Sequence, residues 1–144
     1  MGNFINSTIL IPLIPLVTTL FIFILLVSFN RTLNRLTKPV TVLVALSLLS
    51  SAFISSFDYF KKIEEELALS GFLKFFEGTN LVIHLNLLNE KIIIFFSLIM
   101  LLIIGFSFYE LPRKKGYVSL MISLGLISSS VMISILLIDF SALI

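Results

Sequence analysis

The chain has 144 residues, of which 58% are hydrophobic and 12% charged, against a charged share of about a quarter in an ordinary soluble domain. Its 10 basic and 8 acidic residues are all missing from residues 9–29, 40–57, 92–109 and 118–138, which together make up more than half of the chain. That segregation excludes a water-soluble globule. The absence of cysteine and the single histidine exclude a disulfide scaffold, a thiolate-ligated zinc site, an iron–sulfur cluster and a bis-histidine haem. A net charge of +2 with dispersed basic residues gives no footprint for a nucleic-acid partner.

As helices the four apolar stretches would be roughly 27 to 32 Å long, matching the ~30 Å hydrocarbon core of a bilayer. Continuous runs such as Leu20 to Val27 and Ile92 to Ile104 lack the alternation of barrel strands. Helix is then the one way to satisfy the backbone inside lipid. The first stretch has no Lys or Arg before it and is followed by Arg31 rather than by a small-residue cleavage site, so it reads as a retained helix and not a signal peptide. Pro12 and Pro15 are expected in its first turns, where a missing amide donor costs least, and Pro39 just before the second span.

Orientation follows from the basic residues of the short loops. The 30–39 loop holds Arg31, Arg35 and Lys38 without an acid, and the 110–116 loop sets Arg113, Lys114 and Lys115 against Glu110. Both loops are expected on the cytoplasmic side (stromal or cytosolic in a photosynthetic membrane), with both termini and residues 58–91 outside. Tyr59, Tyr109 and Tyr117 fall where an aromatic belt is expected. Within the outer segment, Phe60, Ile63, Leu67 and Ala68 have helical spacing between Lys61, Lys62 and three glutamates, which predicts an amphipathic helix over 58–70. The apolar runs 72–76 and 81–87 around Glu77-Gly78-Thr79-Asn80 predict a β-hairpin. The expectation is an all-α integral membrane protein, one membrane domain over 1–144 with four transmembrane helices, and an amphipathic helix and β-hairpin between helices two and three.

No ionisable residue falls inside any of the four stretches, and such residues are the usual mark of proton relays and ion pathways. Asp139, at the outer end of the fourth stretch, reads as a solvated boundary residue. His84 has no second ligand or nucleophile near it in sequence, and Glu64-Glu65-Glu66 reads as a solvated face. No phosphate loop, nucleophile elbow or metal-ligand spacing occurs, so no catalytic, cofactor-binding or metal-binding residue is assigned. Serines supply the remaining pattern: Ser47, Ser51 and Ser55 recur every four residues on the second span, and the pairs Ser119 with Ser123 and Ser130 with Ser134 have the same spacing on the fourth. Small residues at that spacing mark helix-packing faces; a water-lined path is the alternative.

Three stretches carry a resemblance to a family. The opening Leu10-Ile11-Pro12-Leu13-Ile14-Pro15-Leu16, followed by Ser28-Phe29-Asn30 and Asn34-Arg35-Leu36, resembles the paired-proline first helix and first cytoplasmic turn of the antiporter-like chain 5 of type I NADH dehydrogenase (complex I). The likeness is greatest to the branch of that family found in the cyanobacterial and plastid NAD(P)H–plastoquinone oxidoreductase. Asn86-Leu87-Leu88-Asn89 stands where that family has the Asp-x-Leu-Ser start of its third helix. Gly116-Tyr117-Val118 with Leu124, Leu126 and Ser128 to Ser130 resembles its fourth, followed by Asp139 where the family often has Asp or Asn. The resemblance covers nearly the whole chain. Asn86 departs from the family's acid, and Leu111-Pro112-Arg113-Lys114-Lys115 departs from its acidic and aromatic loop.

The family's pumping glutamate and lysines lie on the fifth helix and beyond, so the resemblance transfers no catalytic residue. It implies a chain truncated before the pumping helices: a stand-alone relative, half of a split subunit or a gene relic. Such a chain is expected to be a membrane subunit or accessory protein of an NAD(P)H–quinone oxidoreductase assembly in a thylakoid or bacterial plasma membrane. Its partners are then the lipid bilayer and other subunits of that assembly, with no cofactor of its own and no enzyme activity by itself. Two alternatives stand beside it: a small independent transporter or channel component, in which Ser51 and Ser123 would matter, and a non-catalytic partner in an inorganic-carbon uptake complex.

Overall fold

The computed structural model describes residues 7–33, 35–61, 65–68, 82–85, 87–110 and 116–137. Four long helices account for most of them: α1 (Ser7–Ser28), α3 (Thr37–Lys61), α4 (Leu87–Glu110) and α5 (Tyr117–Leu137), with a short α2 (Asn30–Leu33) after α1. Within these helices, Ile9–Ser28, Thr37–Phe60, Leu87–Glu110 and Tyr117–Leu137 are each long and apolar enough to cross a bilayer. The protein is a multi-pass integral membrane protein. The second and third spans outrun the charge-free stretches because their helices continue through Asp58 at one end and start before Glu90 at the other, so hydropathy marks the lipid-crossing part of a helix and not its ends.

Successive spans run antiparallel. Helix α3 packs against α1 and α4, α5 closes the ring against α1 and α4, and α3 also touches α5 across the centre. The buried apolar residues form one cluster, including Ile11 and Ile22 of α1, Val44 and Leu48 of α3, Ile93 and Ile104 of α4, and Met121 and Met132 of α5. Large apolar side chains cover the outside instead, among them Phe53 at 74% exposed, Leu102 at 74% and Phe60 at 82%. An apolar perimeter around a core rich in hydroxyls is the distribution that lipid, rather than water, favours.

Two glycines serve particular geometric needs. Gly116, with φ of +99°, turns the chain into α5, and its carbonyl accepts the first helical bond from Leu120 N at 2.9 Å. That left-handed conformation is strained for any residue with a Cβ. Gly125 lies where α1, α3 and α5 meet. A Cβ there would overlap Thr19 Cγ2, would stand 3.3 Å from Thr19 Cβ and would meet Val44 Cγ1 at 3.7 Å. The Thr19 hydroxyl donates back to Pro15 O at 2.8 Å, which leaves its methyl group facing α5.

The segment between α3 and α4 departs from expectation. No amphipathic helix spans 58–70: residues 58–61 extend α3, and Glu65–Ala68 is strand β1. It pairs antiparallel with β2 (Val82–Leu85), placing Glu66 opposite His84 and Leu67 opposite Ile83. Helix-forming glutamates are overridden here by pairing with a β-branched segment, since strand preference depends on the partner surface. The expected 81–87 run does contain a strand, but its partner is 65–68; residues 72–76 and the turn lie outside the described residues. Strand β2 also rests on α5 and α4, which places the two-stranded sheet at the end of the bundle where α4 begins.

Replacing Gly125 with Ala is expected to force α1 and α5 apart and destabilise the bundle by about 1–3 kcal/mol, the usual cost of overpacking. Adding Thr19→Ala removes the methyl group that the new Cβ meets and restores most of the loss. Unfolding of the reconstituted protein by a denaturing detergent measures both; an unchanged midpoint in Gly125→Ala refutes this packing.

Candidate functional site

Among the described residues, the polar groups inside the bundle are where this chain concentrates chemistry within the membrane. Thr19, Thr41, Ser47, Ser51, Ser55, Asp58, Asn89, Glu90, Ser97, Ser128 and Ser129 are all buried. Most of the hydroxyls donate to carbonyls of their own helix: Ser47 to Val44 O at 2.7 Å, Ser97 to Ile93 O at 2.7 Å and Ser128 to Gly125 O at 2.8 Å. A hydroxyl bonded this way has its proton engaged and presents a small side chain to the neighbouring helix. Such residues make a packing surface.

Four side-chain bonds cross between helices. Helix α1 starts at Ser7, so both prolines expected in its first turns lie inside it, Pro12 in the second turn and Pro15 in the third. Lacking an N–H, Pro15 cannot donate to Ile11 O. The Ser51 hydroxyl of α3 donates to that carbonyl at 2.6 Å, closer than its own-helix acceptor Ser47 O at 3.1 Å. Near the start of α4, the Ser55 hydroxyl donates to Glu90 O at 3.3 Å. Asn89 Nδ2 donates to Ile135 O at 3.3 Å, in the last described turn of α5. At the opposite end, Thr41 Oγ1 donates to Thr37 O at 2.8 Å, so the Tyr117 hydroxyl, 3.1 Å away, donates to Thr41.

The structure thus sorts the residues singled out by sequence. Ser47, Ser51 and Ser55 form a buried face as expected. Ser119, Ser123, Ser130 and Ser134 do not: all four are exposed on the perimeter, and the buried small residues of α5 are Gly125, Ser128 and Ser129. Periodicity alone cannot say which of two serine faces turns inward. Tyr117 is buried and not in an interfacial belt, whereas Tyr109 is 86% exposed. Tyr59 lies under the Lys91 ammonium, which is 5.5 Å from its ring centre. His84 and Glu65 belong to the two strands; Glu64 and Asp139 lie outside the described residues.

Two carboxyl groups missed by sequence reasoning complete the site. Asp58 near the end of α3 is 2% exposed and Glu90 in the first turn of α4 is 0% exposed. Reading both as boundary residues of an outer segment overlooked the helical continuation that draws them between helices. Burying a carboxyl group is costly in lipid, and acids there face the bundle interior. Glu90 also stands at the positive end of the α4 dipole, a favourable place for an acid. The level of both is fixed by the Ser55 to Glu90 bond, since Asp58 is one turn farther along α3 toward the two-stranded sheet. The signal that could have found them is their position, each within a turn of an uninterrupted apolar run. No protein-family model and no curated protein sequence matches the chain.

If Ser51 answers Pro15, removing them must be coupled. Ser51→Ala alone is expected to cost about 1–2 kcal/mol through the orphaned buried carbonyl. In a Pro15→Ala background, where residue 15 regains its N–H, the same change should cost under ~0.5 kcal/mol. A double-mutant cycle on detergent unfolding reads the coupling, and equal costs in both backgrounds would show that the bond is incidental.

Proposed function

We propose that this chain is a membrane subunit or subunit-like accessory protein of a complex I-type NAD(P)H–quinone oxidoreductase assembly, occupying the place of the first four helices of the antiporter-like chain 5. It packs beside partner subunits in a thylakoid or bacterial plasma membrane and does not pump protons alone. The reading begins from the three resembling stretches around Pro12 and Pro15, Asn86 to Asn89 and Gly116 to Val118. The observation that carries it is the character of the interior: through the middle of the bundle the buried polar groups are hydroxyls bonded to helix carbonyls, and the two buried carboxyl groups are confined to one end. Such an interior holds helices together. It offers no series of titratable groups across the membrane, which proton transfer uses, and the serines in it are engaged in packing, which favours a scaffold over an independent transporter.

Two measurements test the reading. Membranes carrying an epitope-tagged chain, extracted in mild detergent and run on a native gel, are expected to place it in a high-mass band with NAD(P)H dehydrogenase activity. Migration solely as a small free species would refute the assembly role, and co-migration with an inorganic-carbon uptake complex would reassign it. The basic loops orient the chain with both termini outside. Because the sequence has no cysteine, Thr32→Cys and Lys91→Cys can be labelled singly. An impermeant thiol reagent should reach residue 32 from the cytoplasmic side and residue 91 from the opposite one, and the reverse pattern would overturn the orientation.

A further inference from the structure

The turn joining α1 to α3 carries Arg31, Arg35 and Lys38, all three exposed. The sequence holds no acid from Phe29 to Phe57, and no ion pair among the described residues occupies any of the three. Phe29 N donates to Leu25 O at 2.8 Å, Thr32 N to Phe29 O at 3.1 Å and Arg35 N to Thr32 O at 3.1 Å, so backbone bonds anchor the stretch that carries Arg31 and Arg35, and Lys38 follows in the first turn of α3. Directly beside them, Val27 is 70% exposed, Phe29 61% and Leu36 49%, continuing the apolar perimeter of the spans up to the charges.

We propose that this turn is a docking surface for the headgroups of anionic phospholipids in the leaflet it touches. Charge complementarity selects an anion, and the apolar rim selects one attached to acyl chains: a phosphodiester lies against Arg31, Arg35 and Lys38 while its tails pack on Val27, Phe29 and Leu36. A soluble anion uses the charges and leaves the rim uncovered. Arginine and lysine stems lie along apolar surface with their charged heads at headgroup level. The proposal requires only that the chain spans a bilayer, so it stands or falls separately from membership of any larger assembly.

The test uses the purified full chain, reconstituted in liposomes of equal parts phosphatidylglycerol and phosphatidylcholine and then re-extracted in mild detergent. The ratio of the two lipids that remain bound is measured by mass spectrometry. The wild type is expected to retain phosphatidylglycerol in several-fold excess. The Arg31→Gln/Arg35→Gln/Lys38→Gln variant should lower that excess at least fivefold, the effect of about one basic side chain at an anionic surface. The charge-preserving Arg31→Lys/Arg35→Lys variant should keep it, and raising the salt concentration should weaken it in the wild type. Absence of any excess, or the same excess in the triple variant, overturns the proposal. Displacement of the bound lipid by millimolar inorganic phosphate also overturns it, because the surface would then be one for a free anion. Should the triple variant lose its helical circular dichroism, the salt series on the wild type and the lysine variant decide.

Discussion

The bond from the Ser51 hydroxyl to the Ile11 carbonyl is the contact on which the arrangement of the first half of the bundle depends. In water a proline-orphaned carbonyl turns to solvent, whereas in hydrocarbon it has only the protein to turn to, and leaving it bare costs about 1–2 kcal/mol. That requirement fixes how α1 faces α3. With Ile11 held to Ser51, Thr19 comes round to Val44 and Gly125, and α5 fits against α1 only because residue 125 has no side chain. A missing N–H in one helix thus constrains the rotation of two others.

Association between spans cannot draw on the hydrophobic effect, since lipid tails are as apolar as leucine. What distinguishes one arrangement of four apolar rods from another is close fit and a few polar matches. Here the matches are spread over the ring: Ser51 joins α1 to α3, Ser55 joins α3 to α4, Asn89 joins α4 to α5, and Tyr117 joins α5 to α3. Ser51 meets a carbonyl freed by proline, Asn89 a carbonyl in the last turn of α5 and Tyr117 the oxygen of another hydroxyl, while Ser55 shares a carbonyl of the first turn of α4, so much of the specificity is built from irregularities of the helices. Individual ties of this kind are weak, averaging about 0.6 kcal/mol where they have been measured in a membrane bundle. Their effect lies in excluding rotated alternatives.

Span number was legible in the sequence because the exclusion of charge from lipid is strong enough to be read residue by residue. The buried face of α3 was legible for a related reason, since Ser47, Ser51 and Ser55 form the one run of three serines at four-residue spacing on that helix. On α5 two serine sets compete, and only the position of Thr19 on another helix decides that Gly125, Ser128 and Ser129 face inward. Helix ends were read least well. Asp58 and Glu90 look like loop residues because charge was taken to end a span, yet a helix can continue past the hydrocarbon boundary while its neighbours still cover it. Residues 65–68 failed for a third reason: their helical spacing is real, and the antiparallel partner 82–85, distant in sequence, outweighs it.

Asn89 and Glu90 are adjacent at the start of α4, and through them that helix is tied on one side to α5 and on the other to α3. Helix α4 is therefore clamped at its start. Toward the other end of α4, Phe106 and Tyr109 lie exposed on the perimeter. Mechanically the clamped seam is a fixed point, so any tilt of α4 against α3 and α5 pivots about Asn89.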